Sequence, residues 1–232
     1  ASGDYLKQIY PTSKIIASEA LQCPTLLQNG FGAHRIEGIG DKHVPWIHNV
    51  KNTDLVVAID DNAVVKISRL FNEPAGKEYL KRKGVPDHTI DQLDLLGFSG
   101  IANVLSAVKF AKYYELTEQD VVLTVLTDSM ELYGTRLEEY RAEFGEFTSF
   151  DAAEAFAGVL QGVTSDHLIE LGYAERKRVH NLKYYTWVEQ QGKTYEEIQA
   201  QWYDDHYWTD VQKQVGEIDR KIEEFNARAG VG

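Results

Sequence analysis

Hydrophobic and polar positions along the chain fall into two regimes. Up to about residue 130, short unbroken apolar runs alternate with amphipathic stretches. Lys14 to Ser18 and Leu55 to Ile59 are β-branched or apolar runs of strand length, and Val121 to Leu126 is a third, all apolar or Thr. Between them the period lengthens. Asp4 to Tyr10 predicts a short helix closed by Pro11, and Asn29-Gly30 marks a turn. Asp60-Asp61-Asn62 supplies an N-cap and an acidic first turn for a helix over Ala63 to Phe71. Pro74 to Lys83 predicts a basic helix, and His88 to Leu96 a short one ending at Gly97. Ser99 is placed to cap a long helix reaching about Tyr114, with Ile101, Val104, Leu105, Val108 and Ala111 along one face.

From about Met130 the pattern turns almost wholly helical, through to residue 229. Thr194-Tyr195-Glu196-Glu197 has the form of a capping box. Val211, Val215, Ile218, Ile222 and Phe225 form a helical stripe. Buried-type runs separated by helices predict an α/β fold: part of a doubly wound, mostly parallel sheet with flanking helices, plus a helical C-terminal extension. The expected division is residues 1–135 and 136–232, with no flexible linker between them. The extension is expected to pack on the α/β part or on a second subunit. Ligands in such sheets bind beyond the carboxyl ends of the strands, and Gly38-Ile39-Gly40, Gly97-Phe98-Ser99-Gly100 and Thr127-Asp128-Ser129 all lie in linking segments of that kind.

Charge narrows the partners. The formal net charge of −12 argues against nucleic acid, whose phosphates need clustered Lys and Arg, and against an anionic membrane surface. No apolar run approaches the ~20 residues of a membrane span. A single cysteine, Cys23, rules out an internal disulfide and fits a reducing cytoplasm. It precedes Pro24 with no local base, unlike a nucleophile. Asp204-Asp205-His206 are consecutive, so one helical face cannot present all three to a metal, and a helix junction explains them better. His34, His43 and His48 lack the cysteine or paired carboxylates of a metal set, so no metal is expected.

Gly38-Ile39-Gly40 is bare enough for a main chain to lie against a flat ligand, although many turns share the pattern. Three blocks in order give it a context. The first runs from Gly3-Asp4-Tyr5-Leu6-Lys7 through Lys14-Ile15-Ile16 to His34-Arg35-Ile36-Glu37-Gly38-Ile39-Gly40 and Val44-Pro45. The second is Gly97-Phe98-Ser99-Gly100-Ile101-Ala102-Asn103-Val104, and the third is Val121 to Ser129 followed by Tyr133. Together they resemble the cysteine synthase family of fold-type II, tryptophan synthase β-like, pyridoxal 5'-phosphate (PLP) enzymes, over roughly residues 3–135. Phe98 stands where that pattern has Ile, and Thr127 where it has Pro.

The resemblance implies a lyase or transferase acting by β-elimination or β-replacement on a small amino acid. Gly38, Ile39, Ser99, Thr127, Asp128 and Ser129 would contact the cofactor. Ser129 would meet the ring nitrogen, with Thr127 as the alternative donor. A neutral hydroxyl there moderates the electron sink and favours β-chemistry over transamination. The family's Schiff-base Lys and its phosphate-binding glycine loop have no counterpart in the sequence. The chain therefore looks like the C-terminal portion of such an enzyme, alone inactive, beginning at Ala1 rather than Met. Its expected partners are an N-terminal half, as a separate chain or cleaved segment, and a second copy in a homodimer. The competing expectation is a non-catalytic regulatory or assembly subunit whose helical tail is the working surface.

Overall fold

A computed structural model describes residues 2–231. Two compact units emerge, each assembled from separate stretches of chain: residues 16–42 with 55–170, and residues 2–15 with 43–54 and 171–231.

The first of these is an α/β unit. Strand β1 (Ile16–Ala20) runs parallel to β2 (Leu55–Ile59), Ile16 opposite Leu55 and Ala20 opposite Ile59. β2 is buried along its whole length, as its unbroken apolar run requires of a central strand. Its other edge is covered by β3 (Leu168–Glu170), which pairs antiparallel, Val57 opposite Leu168. The sheet is thus three-stranded and mixed, in the order β1-β2-β3. Two expectations are corrected here. The stretch after residue 130 is not helical throughout, because it returns β3 to the sheet. And Val121–Leu126 forms no strand: it has no regular secondary structure and is unpaired, with Val121 92% and Leu123 81% exposed. A strand exists only by pairing, and among the described residues no second backbone lies alongside this run.

Helix α2 (Thr25–Gln28) ends at Asn29, which takes the left-handed conformation expected at a helix C-terminus. Helix α3 (Asp61–Asn72) starts where the Asp60 carboxylate accepts the Asn62 and Ala63 amides. It buries Val64, Val65, Ile67, Leu70 and Phe71 in the core. Helix α4 (Pro74–Arg82) has Pro in its first turn, and α5 (Asp87–Ile90) is followed by a separate 3₁₀ turn over Leu93–Leu95. Helix α6 (Phe98–Tyr113) lies against the sheet and buries Phe98, Ile101 and Leu105. Helices α7 (Gly134–Phe144) and α8 (Ser149–Glu154) follow, and α8 runs into a π-helix, Ala155–Gln161.

In the second unit, α1 (Ser2–Ile9), the 43–54 segment and helices α9 (Tyr173–Asn181), α10 (Tyr195–Tyr203), α11 (Tyr207–Lys213) and α12 (Val215–Ala229) come together. The capping box at Thr194 forms, with reciprocal bonds between Thr194 and Glu197. The Trp202–Trp208 stretch is a helix junction, turned by the Asp204 carboxylate accepting the His206 amide at 2.8 Å. Packing here relies on side chains that donate to backbone carbonyls: Lys51 to Trp202, Trp187 to Val44 and Trp208 to Gln201. Lys183 is wholly buried and spends all three protons, on the Trp46 and His48 carbonyls and the Gln201 amide oxygen, at 2.9, 2.8 and 2.6 Å. Among the described residues no single helix is long and apolar enough to cross a membrane.

Candidate functional site

Three loops meet within the α/β unit: the Gly38–Gly40 turn after β1, the start of α6, and the Thr127–Ser129 turn. Gly38 and Gly40 both take positive φ, +82° and +105°, which only glycine adopts without strain. His34 closes the loop by donating from Nε2 to the Gly40 carbonyl at 2.9 Å, and a Cβ on Gly40 would stand 2.8 Å from that nitrogen. A Cβ on Gly38 would lie 3.7 Å from the Ser99 Cβ, so the backbone of this turn faces the Ser99 side chain directly.

Gly97, not Ser99, is the N-cap of α6. The helix starts two residues early because Gly97 can lie against Asp128. Its amide donates to the Asp128 carbonyl at 3.0 Å, and a Cβ there would fall 2.4 Å from Asp128 Oδ1. Ser99 thereby sits inside the first turn with its hydroxyl free for other partners. Its Oγ is 2.8 Å from Thr127 Oγ1 and donates to Asp128 Oδ1 at 3.2 Å. The Tyr133 phenol donates to Asp128 Oδ2. That bond holds the Tyr133 proton and pushes the phenol up to about 12. Both carboxylate oxygens of Asp128 are therefore engaged by hydroxyls.

Of the six residues expected at a cofactor, Gly38, Ser99, Thr127 and Asp128 come together. Ile39 is half-buried and packs its side chain against the hydrophobic core. Ser129 is half-buried and extended at the entry to the Met130–Tyr133 turn, and its hydroxyl makes no bond within the Ser99–Thr127–Asp128 cluster.

Sequence reasoning missed the support around the glycine turn. Arg35 makes a double hydrogen bond to Glu143 on α7, both at 2.7 Å, and Arg136 on the same helix reaches Glu37 at 2.7 Å. These residues, with His34, Glu139 and Tyr140, line a cleft of about 280 Å³. The Arg35 amide donates to Asp61 at 2.6 Å, and burial raises the Asp61 carboxyl above its ordinary range. No local signal announces pairs so far apart in sequence. Tyr133 did carry one, as the aromatic that follows the third block.

The chain is similar to curated cysteine synthases. It is 28% identical over 131 residues to that of Staphylococcus aureus (strain N315), a stretch covering 56% of this chain and 36% of the relative. It is 27% identical over 131 residues to cysteine synthase B of Campylobacter jejuni, covering 56% of this chain and 37% of the relative. The match thus spans little more than a third of the relatives' length. No family model matches the chain, and no solved structure does.

Proposed function

We propose that this chain supplies one wall of a PLP site in a cysteine synthase-like enzyme that eliminates or replaces a group at the β-carbon of a small amino acid. Under this reading the three-stranded sheet is part of a larger doubly wound one. The remaining strands, the cofactor-bonding Lys and the phosphate-binding loop come from an N-terminal half. The observation that carries the reading is the meeting of Gly38, Ser99, Thr127 and Asp128, from three distant segments, around a bare backbone surface and a row of hydroxyls. The similarity to cysteine synthases supports it.

The residues present suit the edge of a pyridine ring. Bound PLP supplies an electron sink for the α-carbon of an amino acid. The chain's part is to hold the ring and set the protonation of its nitrogen. Asp128 is unfit to protonate that nitrogen, since Ser99 and Tyr133 occupy its two oxygens. Once Ser99 donates to Asp128, Thr127 donates to Ser99 at 2.8 Å and leans toward Asp128 Oδ1 at 3.4 Å, so its proton is committed and its own oxygen is left as an acceptor. Ser129 retains an uncommitted proton. It is the hydroxyl available to a ring nitrogen, and a neutral donor there leaves the nitrogen unprotonated. Asp128 acts as a positioning residue that locks the other two hydroxyls. Gly38, facing Ser99 without a side chain of its own, would offer bare backbone to a flat ring.

The test is the visible spectrum of the chain purified together with its N-terminal half. Bound PLP gives a yellow preparation bleached by borohydride, and Ser129→Ala shifts the band. A preparation that stays colourless with added PLP overturns the proposal in favour of an assembly subunit. A Ser129→Ala spectrum identical to the parent refutes the ring-nitrogen assignment alone.

A further inference from the structure

The helical unit holds a cavity between α9, a π-helix at Tyr184–Val188 and α10. Its volume is about 700 Å³, in the size range of small-molecule sites. Tyr173, Tyr184, Tyr185 and Tyr195 line it together with Lys177 and Arg178. No Asp or Glu is among its lining residues, although the chain carries 36 of them against 24 Lys and Arg. All of these residues belong to one compact unit, and none to the α/β unit that carries the proposed PLP wall.

Lys177 is the member of this set that is left unsatisfied. Its ammonium is buried and meets no hydrogen-bond acceptor among the described residues. It rests 4.6 Å from the ring centroids of both Trp202 and Tyr203. Cation–π contacts offset part of the lost hydration. They do not accept its three protons as oxygens would, and burial pushes the amine below the ordinary lysine range. Lys183, also buried in this unit, shows the contrast, since it donates to three oxygens.

We infer that the cavity binds a small planar aromatic carboxylate, its ring among the tyrosines and its acid group accepting from Lys177. Charge selects the anion, because the lining of an otherwise acidic chain has two cations and no carboxylate here. Ring geometry selects the flat body. Tyr184 meets Tyr185 and Tyr195 edge-on, with centroids 5.9 and 6.4 Å apart, and a further ring extends that edge-to-face series. Tyr173, Tyr185 and Tyr195 are exposed, so core packing does not account for them. The flexible four-carbon stem of Lys177 lets its ammonium turn from Trp202 and Tyr203 toward an acid in the cavity.

The experiment is isothermal titration calorimetry of the 232-residue chain with 2-naphthoate, up to about 1 mM. One molecule should bind per chain, at least tenfold more tightly than either of two controls. The first is 2-naphthamide, which keeps the ring without the charge. The second is cyclohexanecarboxylate, which keeps the charge without the aromatic ring. Lys177→Met should weaken 2-naphthoate at least tenfold with an unchanged far-ultraviolet circular dichroism spectrum, and Lys177→Arg, which keeps the charge, should recover most of the affinity. Tyr195→Leu, at an exposed position, should weaken binding by about threefold or more and carries the test if Lys177→Met fails to fold. An absence of binding heat overturns the inference. So does a control that binds as tightly as 2-naphthoate, or an affinity indifferent to both Lys177→Met and Tyr195→Leu. A glutamate-rich peptide that binds where 2-naphthoate does not would assign the cavity to a protein partner, and overturns it as well.

Discussion

Lys183 gives the sharpest test of how the helical unit is held. Its ammonium is fully buried, and the loss of hydration pushes it down to about 7. In the unfolded chain a lysine titrates near ~10.4. Between those values the unfolded state binds more protons, so stability rises with pH across that window. With one pKa unit equivalent to about 1.36 kcal/mol, the gain from about pH 6.5 to about pH 9.5 is about 3 kcal/mol. Lys183→Met removes the titration while keeping the apolar stem. It also leaves two carbonyls and the Gln201 amide oxygen without their donor, at about 1–3 kcal/mol each. At low pH this loss is offset by removal of the buried charge, and at high pH it is not. The deficit of the variant should therefore grow by about 3 kcal/mol between the two pH values. All four tryptophans, Trp46, Trp187, Trp202 and Trp208, belong to this unit, so urea unfolding followed by tryptophan fluorescence reports on it alone. A gap between parent and variant that stays constant with pH would refute the reasoning.

Other outcomes follow from the same geometry. His48 is pushed down to about 4, chiefly by burial and then by the nearby Lys183 charge, so the unfolded chain takes up a proton that the folded one resists. His48→Gln should spare about 3 kcal/mol of the stability lost from about pH 7 to about pH 4, measured by urea titration at each pH. Gly97→Ala should destabilise the α/β unit by about 1–3 kcal/mol in thermal melts, because its Cβ would lie 2.4 Å from Asp128 Oδ1 and 3.1 Å from the Asp128 carbonyl. The carboxylate of Glu73, which is 3% exposed, holds Arg69 at 3.4 Å and Arg141 at 2.7 Å. Glu73→Gln leaves the buried Arg69 with the Gly145 carbonyl but no counter-charge, and should cost about 3 kcal/mol. Glu154→Gln, which breaks the exposed Lys66–Glu154 pair, should cost less than about 1 kcal/mol in the same denaturation assay.

Local chemistry determined much of this protein from sequence alone. The Leu55–Ile59 strand, the Asp60 cap, the Asn29 turn and the Thr194 capping box appear where the residues place them. Each rests on interactions within a few residues or on an apolar run long enough to demand burial. The two-glycine turn was equally legible, since its positive φ values belong to glycine wherever the chain folds. Tertiary structure decided everything that needs a second segment. Val121–Leu126 has the composition of a strand, but a strand is a pairing, and no backbone lies beside it among the described residues. Leu168–Glu170 carries no such signature, yet it becomes a strand because β2 offers it a free edge. Ser99 has the chemistry of a cap, but close approach of Gly97 to Asp128 moved the helix start and released its hydroxyl. The α12 stripe was readable as an apolar helix face. Only the fold revealed that this face is left open, because periodicity specifies which side of a helix must be covered and not what covers it.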